Sequence, residues 1–331
     1  MHKGRITAVY AAGHFVVDLA CAFAMLRFVR PTADWTSAAL LYNFFAFAGQ
    51  MPLGLVADRF GNGRMFAAAG CLLVAAAYAM PGMPELLAVT AGTGNALYHI
   101  GGGYDTLRLD DRAGLLGVFV SPGAFGLSLG SLLGRGVFPA YFPVLLLLAA
   151  AAAVLLLCGR TEAEGPFLDL SGAGYLALAA LFLVVCLRSY AGFLFSFPWK
   201  TGAWLWVFVL CVVLGKTAGG FLYDRFGGVR ASIVTLVGAA ALFLASGSPV
   251  CGCAAVLLFN MTMPVTLRAA ADRLPGAKGF SFGLLTFALF LGFLPEYMGL
   301  PAIRAGWMYA ALCLVSLALL LAGLKRGEAA R

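Results

Sequence analysis

Two histidines and an aspartate stand where an apolar helix would ordinarily exclude them. His14 and Asp18 are four residues apart in an otherwise hydrophobic run, so they share one helix face, with Tyr10 one turn earlier. Asn95 and His99 repeat that spacing in a second apolar run, while Arg188 and Lys216 place cations in two later ones. An ionisable group inside hydrocarbon is costly unless it faces a cavity or a partner, so these residue types mark a polar pathway. The chemistry they offer is proton transfer. Desolvation favours a neutral acid, a neighbouring cation favours the carboxylate, and imidazole titrates near neutrality. Asp18 would carry the proton, with His14 and His99 as polar or titratable partners and Asn95 as a hydrogen-bonding wall. Arg188 and Lys216 would supply positive charge to a substrate or to Asp18.

The elements that must hold these groups are membrane helices. Hydrophobic residues make up 62% of the 331 positions and charged residues 11%, with a mean hydropathy of +0.95, which excludes an ordinary soluble domain. A bilayer core of about 30 Å needs about 20 apolar residues per helix, so a chain of this length with short loops supplies about a dozen spans. Apolar runs between charge, Gly and Pro breaks place six helices near 6–26, 37–57, 65–80, 84–104, 114–134 and 138–158. Six more fall near 172–197, 203–223, 230–247, 250–268, 279–298 and 305–324. The expectation is an all-α membrane protein with bundles over 1–158 and 172–331, joined by a short cytoplasmic linker at 159–171 that contains Glu162 and Glu164. With a rise of 1.5 Å per residue, Asp18 lies roughly 18 Å from the inner end of its helix, near the midplane.

Charge sets the expected orientation. With both termini cytoplasmic, Lys3, Arg5, Arg59, Arg64, Arg108, Arg112, Arg160, Arg225, Arg230, Arg268, Arg273, Lys278, Lys325, Arg326 and Arg331 fall inside, against Arg27, Arg30, Arg135, Lys200 and Arg304 outside. The five tryptophans, Trp35, Trp199, Trp204, Trp206 and Trp307, fall near the outer helix ends, where indoles sit at headgroup level. The net charge of +8 is therefore a topology signal spread over short loops, with no patch for nucleic acid. The first apolar stretch exceeds a typical signal h-region and lacks a small-residue cleavage site, so it is expected to stay as an anchor. Eight cysteines sit mostly in apolar runs without the spacing of a zinc site and read as packing residues.

One segment occurs twice. The pattern G-x-x-x-D-R-F-G-x-x-R is carried by Gly54, Asp58, Arg59, Phe60, Gly61 and Arg64, and again by Gly220, Asp224, Arg225, Phe226, Gly227 and Arg230. Each copy follows the second helix of a half, and six helices per half put both on one side, so the halves read as parallel repeats. Glycine permits close helix approach, the aspartate can cap or pair, and the arginines can bridge to a neighbouring helix, which together would form a cytoplasmic gate. This loop resembles the signature of the major facilitator superfamily between helices 2 and 3, with its weaker copy between helices 8 and 9. Asn62 and Gly63 depart from it, standing where two cations commonly follow. Further pieces resemble the fosmidomycin-resistance branch of efflux carriers: Gly13-His14-Phe15-Val16-Val17-Asp18, Gly92-Thr93-Gly94-Asn95-Ala96-Leu97-Tyr98-His99, and Ala271-Asp272-Arg273-Leu274-Pro275-Gly276. In that family the second His is usually followed by Pro, whereas this chain has Ile100 and three glycines.

The resemblance implies a monomeric carrier in the bacterial inner membrane. It would move a small organic or drug-like molecule by alternating access, in antiport with protons, with no cofactor beyond the proton gradient and no metal. Import of a small metabolite, or binding without transport, are the alternatives. Gly123, Gly126, Gly130 and Gly134 place small residues at three- and four-residue steps beside Pro122, which suits close helix packing. Gly126-Leu127-Ser128-Leu129-Gly130 fits a hydrolase G-x-S-x-G only on paper, because it lies within a helix and not on a strand-to-helix elbow. Gly215-Lys216-Thr217 lacks the first glycine of a phosphate loop, since Leu210 stands there.

Overall fold

The computed structural model describes residues 3–163 and 174–328, with side chains as far as Leu324. Most of the expected linker with Glu164, the side chains of Lys325 and Arg326, and Arg331 lie outside the described residues. Among the described residues there are helices and turns and no strand. The described residues form twelve helical segments: α1 Lys3–Val29, α2 Trp35–Phe60, α3 Gly63–Ala77, α4 Pro84–Leu109, α5 Ala113–Arg135, α6 Tyr141–Leu157, α7 Tyr175–Leu194, α8 Gly202–Phe226, α9 Gly228–Leu244, α10 Pro249–Arg273, α11 Lys278–Tyr297 and α12 Gly306–Leu324. Eight of these are long and apolar enough to cross a bilayer, and α3, α6 and α9 are shorter apolar helices. The remaining one, α4, carries Asn95, His99, Asp105 and Arg108 and is buried along most of its length, as a helix with polar groups inside a membrane must be. The outward faces are apolar: Leu156 of α6 is 82% exposed, and Leu145, Leu148 and Leu155 on the same helix are exposed too. Such a surface is stable only against lipid.

Two boundaries differ from the hydropathy reading for identifiable reasons. Helix α3 ends at Ala77 and not near residue 80, because Pro81 disfavours helical backbone in the residue before it. Helix α10 runs on to Arg273 but is interrupted at Met261, since Pro264 has no N–H to bond the Asn260 carbonyl. The turns of the repeated loops share a glycine in the left-handed region, and the first adds Asn62, φ 64°, before its next helix. Gly61 and Gly227 both have positive φ, at 64° and 79°, a backbone that glycine adopts at little cost.

The helices gather into two compact units. The first contains α1 to α4, α6, the part of α5 after Pro122, and Gly276–Phe287 at the start of α11. The second contains Asp111–Ser121 at the start of α5, α7 to α10, the rest of α11 and α12. In the first unit α1 and α5 pack through the glycine series. Gly126, Gly130 and Gly134 face the carbonyls of Phe15, Leu19 and Phe23, the same four-residue step on both helices. A methyl group at any of the three would collide with that backbone, so the steps set how closely α1 approaches.

All eight cysteines are free, and each is buried or half-buried. Just beyond α6, burial pushes the Cys158 thiol up to about 11. A thiol so shifted is almost wholly protonated at neutral pH. Maleimide labelling of native protein at pH 7 should therefore leave Cys158 unmodified on the timescale that labels an exposed cysteine, as read by intact mass. Rapid labelling would contradict its burial.

Candidate functional site

Within the first unit, α1 and α4 bring four of the expected residues together. His14 Nε2 lies 3.2 Å from Asp18 Oδ2, across one helix turn. His99 Nε2 is 2.8 Å from His14 Nε2 and 3.7 Å from Asp18 Oδ1, and the two rings meet edge to face. Asn95 donates from Nδ2 to Asp18 Oδ1 at 3.0 Å. His99 Nδ1 is 2.8 Å from the Asn95 carbonyl oxygen. A carbonyl only accepts, so Nδ1 carries its hydrogen and the Nε2 of a neutral His99 presents a lone pair to His14. His14 Nε2 lies within reach of both His99 Nε2 and the Asp18 carboxylate. The two imidazoles and the carboxylate lie at separations across which a proton can be shared. Gly123 of α5 covers the cluster: a side chain there would run into His14 Nε2 and Asp18 Oδ2.

The ligand atoms of His14, Asp18 and His99 all lie within 4.8 Å of one another, which invites comparison with a metal site. The 2.8 Å between the two Nε2 atoms is a hydrogen-bond separation. It is shorter than the roughly 3.3 Å edge that Zn–N bonds of about 2.0–2.1 Å would give a tetrahedral site. The spacing suits a shared proton better than a metal ion.

The repeated loops place their aspartates on helix starts. Asp58 accepts from the amides of Gly279 and Phe280, each at 2.7 Å, in the first turn of α11. Asp224 accepts from Ala113 and Gly114, at 2.7 and 2.8 Å, in the first turn of α5. A carboxylate there satisfies two amides that have no partner inside their own helix and meets the positive end of its dipole. The donors obey the repeat as well: Asp58 to Asp224 and Gly279 to Ala113 are the same 166-residue offset. Gly54 packs on the Gly279 backbone and Gly220 on that of Ala113 and Gly114, so the repeated glycines admit the capped helix. Arg64 donates to the Leu155 and Cys158 carbonyls at the end of α6, at 3.4 and 3.2 Å. Arg59 and Arg225 lie over the rings of Phe60 and Phe226, and Arg230 is exposed.

The two caps differ in burial, because Asp58 is 1% exposed and Asp224 lies open to solvent. Replacing Asp58 with Ala removes two charge-assisted hydrogen bonds, each worth about 1.5–3 kcal/mol. Amide exchange over Lys278–Ser281 should then speed up at least about tenfold, as 1.4 kcal/mol gives that factor. The Asp224→Ala variant should show a smaller rise over Ala113–Leu115. Hydrogen exchange read by mass spectrometry compares the two, and equal rises would mean that burial does not set the strength of the cap.

In the second unit Arg188 of α7 is buried, and its Nη2 donates to Thr262 Oγ1 at 3.0 Å and Thr266 Oγ1 at 2.8 Å. Lys216 of α8 is half-buried, with Nζ 3.5 Å from the Val120 carbonyl. Asp18 finds its partners in the first unit and Arg188 in the second.

No protein-family model matches this sequence, and no curated protein matches it either. Solved structures do. The fucose:proton symporter FucP of E. coli aligns over 95% of this chain and 97% of its own, with a TM-score of 0.66 at 14% identity. The human organic anion transporter MFSD10 (TETRAN) aligns over 97% of this chain and 100% of its own, with a TM-score of 0.65 at 17% identity. The fold is that of the major facilitator superfamily. At these identities the likeness fixes the architecture of a multi-pass membrane protein and leaves the chemistry to the residues.

On the major facilitator scaffold three features stand out that the sequence reading did not place. Asp105 and Asp110, at the end of α4, are both buried, and Asp111 alone of the three is exposed. Asp105 is held by the Tyr10 hydroxyl and by Thr161 Oγ1, the latter at 2.6 Å. The Asn62 amide also donates to the Thr161 carbonyl, at 2.7 Å, so the start of the linker is tied to the turn after α2. Thr262 and Thr266, one turn apart in an apolar run, gave no cue beyond their spacing. The capping amides of Gly279, Phe280, Ala113 and Gly114 could have been found by carrying the 166-residue offset from the loops to the helices they meet.

Proposed function

We propose that this chain is a secondary active transporter, exporting a small organic or drug-like molecule across the bacterial inner membrane in exchange for protons. The carrying observation is the His14–Asp18–His99–Asn95 cluster, whose imidazoles and carboxylate lie within proton-sharing distance of one another. It sits inside a bundle with the fold of proteins that include a proton symporter. Transport proceeds by alternating access, with the halves 1–158 and 172–331 as the exchanging bodies and both termini cytoplasmic. The protein works as a monomer and draws only on the proton gradient. Protonation of the cluster on one side and its release on the other accompany the switch, while Arg188 and Lys216 act on the cargo. The capped loops, with Gly54, Asp58, Gly61, Arg64 and their repeats Gly220, Asp224, Gly227 and Arg230, latch the cytoplasmic face. The motifs around His14, Asn95 and Asp272 favour a carrier of the fosmidomycin-resistance kind.

The test is expression in an efflux-deficient bacterium challenged with a panel of toxic small molecules that includes phosphonates. Raised resistance that collapses when a protonophore dissipates the gradient is the expected result. Hypersensitivity to a compound would reverse the direction and support proton-coupled import, the second reading, which the fold likeness to a fucose:proton symporter favours. No change for any compound, at verified membrane expression, would count against export.

A further inference from the structure

Arg188 is a buried cation whose charge no ion pair balances among the described residues. It is 9% exposed, and among the described residues no carboxylate lies within ion-pairing distance of it. Its two acceptors are neutral. Thr262 Oγ1 donates its own hydrogen to the Phe259 carbonyl at 3.0 Å and Thr266 Oγ1 to that of Thr262 at 2.7 Å, so each hydroxyl turns a lone pair toward Nη2. These contacts occupy Nη2 alone. Nε is buried without a partner, and Nη1 has none among the described residues, so three of the five N–H groups remain unfilled. Taking an unpaired cation out of water costs several kcal/mol even after relaxation. A side chain that only needed to pack would not be kept in this state.

Thr262 directly follows Met261 of α10, and Pro264 comes two residues on. Met261 keeps right-handed helical backbone, with φ −61° and ψ −22°, so the helix continues through this point and lacks only the ladder hydrogen bond that Pro264 cannot donate. A buried guanidinium with unfilled N–H groups is a receptor for an oxyanion, because planar N–H donors match carboxylate and phosphate oxygens.

We infer that Arg188, positioned by Thr262 and Thr266, binds the anionic group of the cargo, a carboxylate or a phosphonate-like oxyanion on a small organic body. The inference rests on the transporter reading for the word cargo, but the site itself can be tested without transport. The full chain, purified in detergent and delipidated, is dialysed to equilibrium against radiolabelled benzoate. Unlabelled phenylphosphonate, benzamide, benzylamine and phosphatidylglycerol serve as competitors. Saturable benzoate binding, displaced by phenylphosphonate and not by benzamide or benzylamine, is expected. Arg188→Gln should abolish it, and Arg188→Lys, which keeps the charge but loses the planar donors, should weaken it at least about tenfold. Both variants are scored only as monodisperse protein, and the Lys variant keeps the test decisive if the Gln variant does not fold.

The assignment is overturned if wild type binds neither anion, if Arg188→Lys and any folded Arg188→Gln bind as wild type does, or if benzamide competes as well as phenylphosphonate. It is equally overturned if only phosphatidylglycerol binds, since Arg188 would then hold a lipid headgroup. Loss of anion binding alongside intact protonophore-sensitive resistance would remove the anion site and leave the transporter reading standing.

Discussion

Asp18→Asn should yield a folded, membrane-inserted protein in which substrate movement no longer drives proton movement. Asparagine keeps the shape and can still accept from Asn95 Nδ2, which is 3.0 Å from Asp18 Oδ1, so the contact between α1 and α4 survives. What goes is the carboxylate. With an amide there, a proton shared by His14 and His99 has no anion to stabilise it at 3.2 or 3.7 Å. In proteoliposomes with an entrapped pH indicator, proton flux evoked by a substrate gradient should fall by roughly two orders of magnitude or more, the scale on which a positioned proton-transfer group acts. Exchange of labelled for unlabelled substrate, which needs no net proton, should persist. Full coupling in the mutant would remove Asp18 from the mechanism. Loss of exchange as well would mean that Asp18 holds substrate and does not merely carry a proton.

The second large effect is structural. Gly130→Leu should destabilise the first unit by about 3 kcal/mol or more, at the upper end of overpacking costs, because the obstacle is the Leu19 backbone of α1 and cannot rotate aside. Helix α1 would have to back away, taking His14 and Asp18 from His99. Gly192→Leu on α7 is the matched control, since a Cβ there meets nothing within 4 Å, and its effect should stay within about 0.5 kcal/mol. Thermal unfolding of the two purified variants makes the comparison. Equal midpoints would show that the α1–α5 contact is loose in solution.

Much of this architecture can be read from the residues because a membrane leaves few options. Long apolar runs must be helices, and an i, i+4 pair such as His14 and Asp18 must share a face. A four-residue glycine series such as Gly126, Gly130 and Gly134 can only serve close approach. The reading weakens where the partner is backbone. Asp58 is conspicuous as a type, but Gly279 and Phe280 contribute amides, and every residue except proline has one. Asp105 is hard to place from sequence for another reason. Its position near a helix end suggests water, while its cover comes from Tyr10, far away in sequence, and from Thr161 in the linker. Pro264 was visible all along, yet hydropathy averages over a 25-residue helix and hides a missing ladder bond in its middle.

The Asp58 cap also has a history within the life of each molecule. Its donor amides lie 221 residues further along the chain, whereas Asp224 finds the amide of Ala113 111 residues behind it, already made. With ribosomes adding about 5–20 residues each second, Asp58 spends about 10 to 45 seconds in the membrane before α11 exists. Over that interval its carboxylate must stay hydrated or be met by other groups. The first unit therefore cannot reach its final burial until synthesis has almost ended, and a nascent chain arrested before residue 279 should hold Asp58 in a more water-accessible setting than the finished protein does.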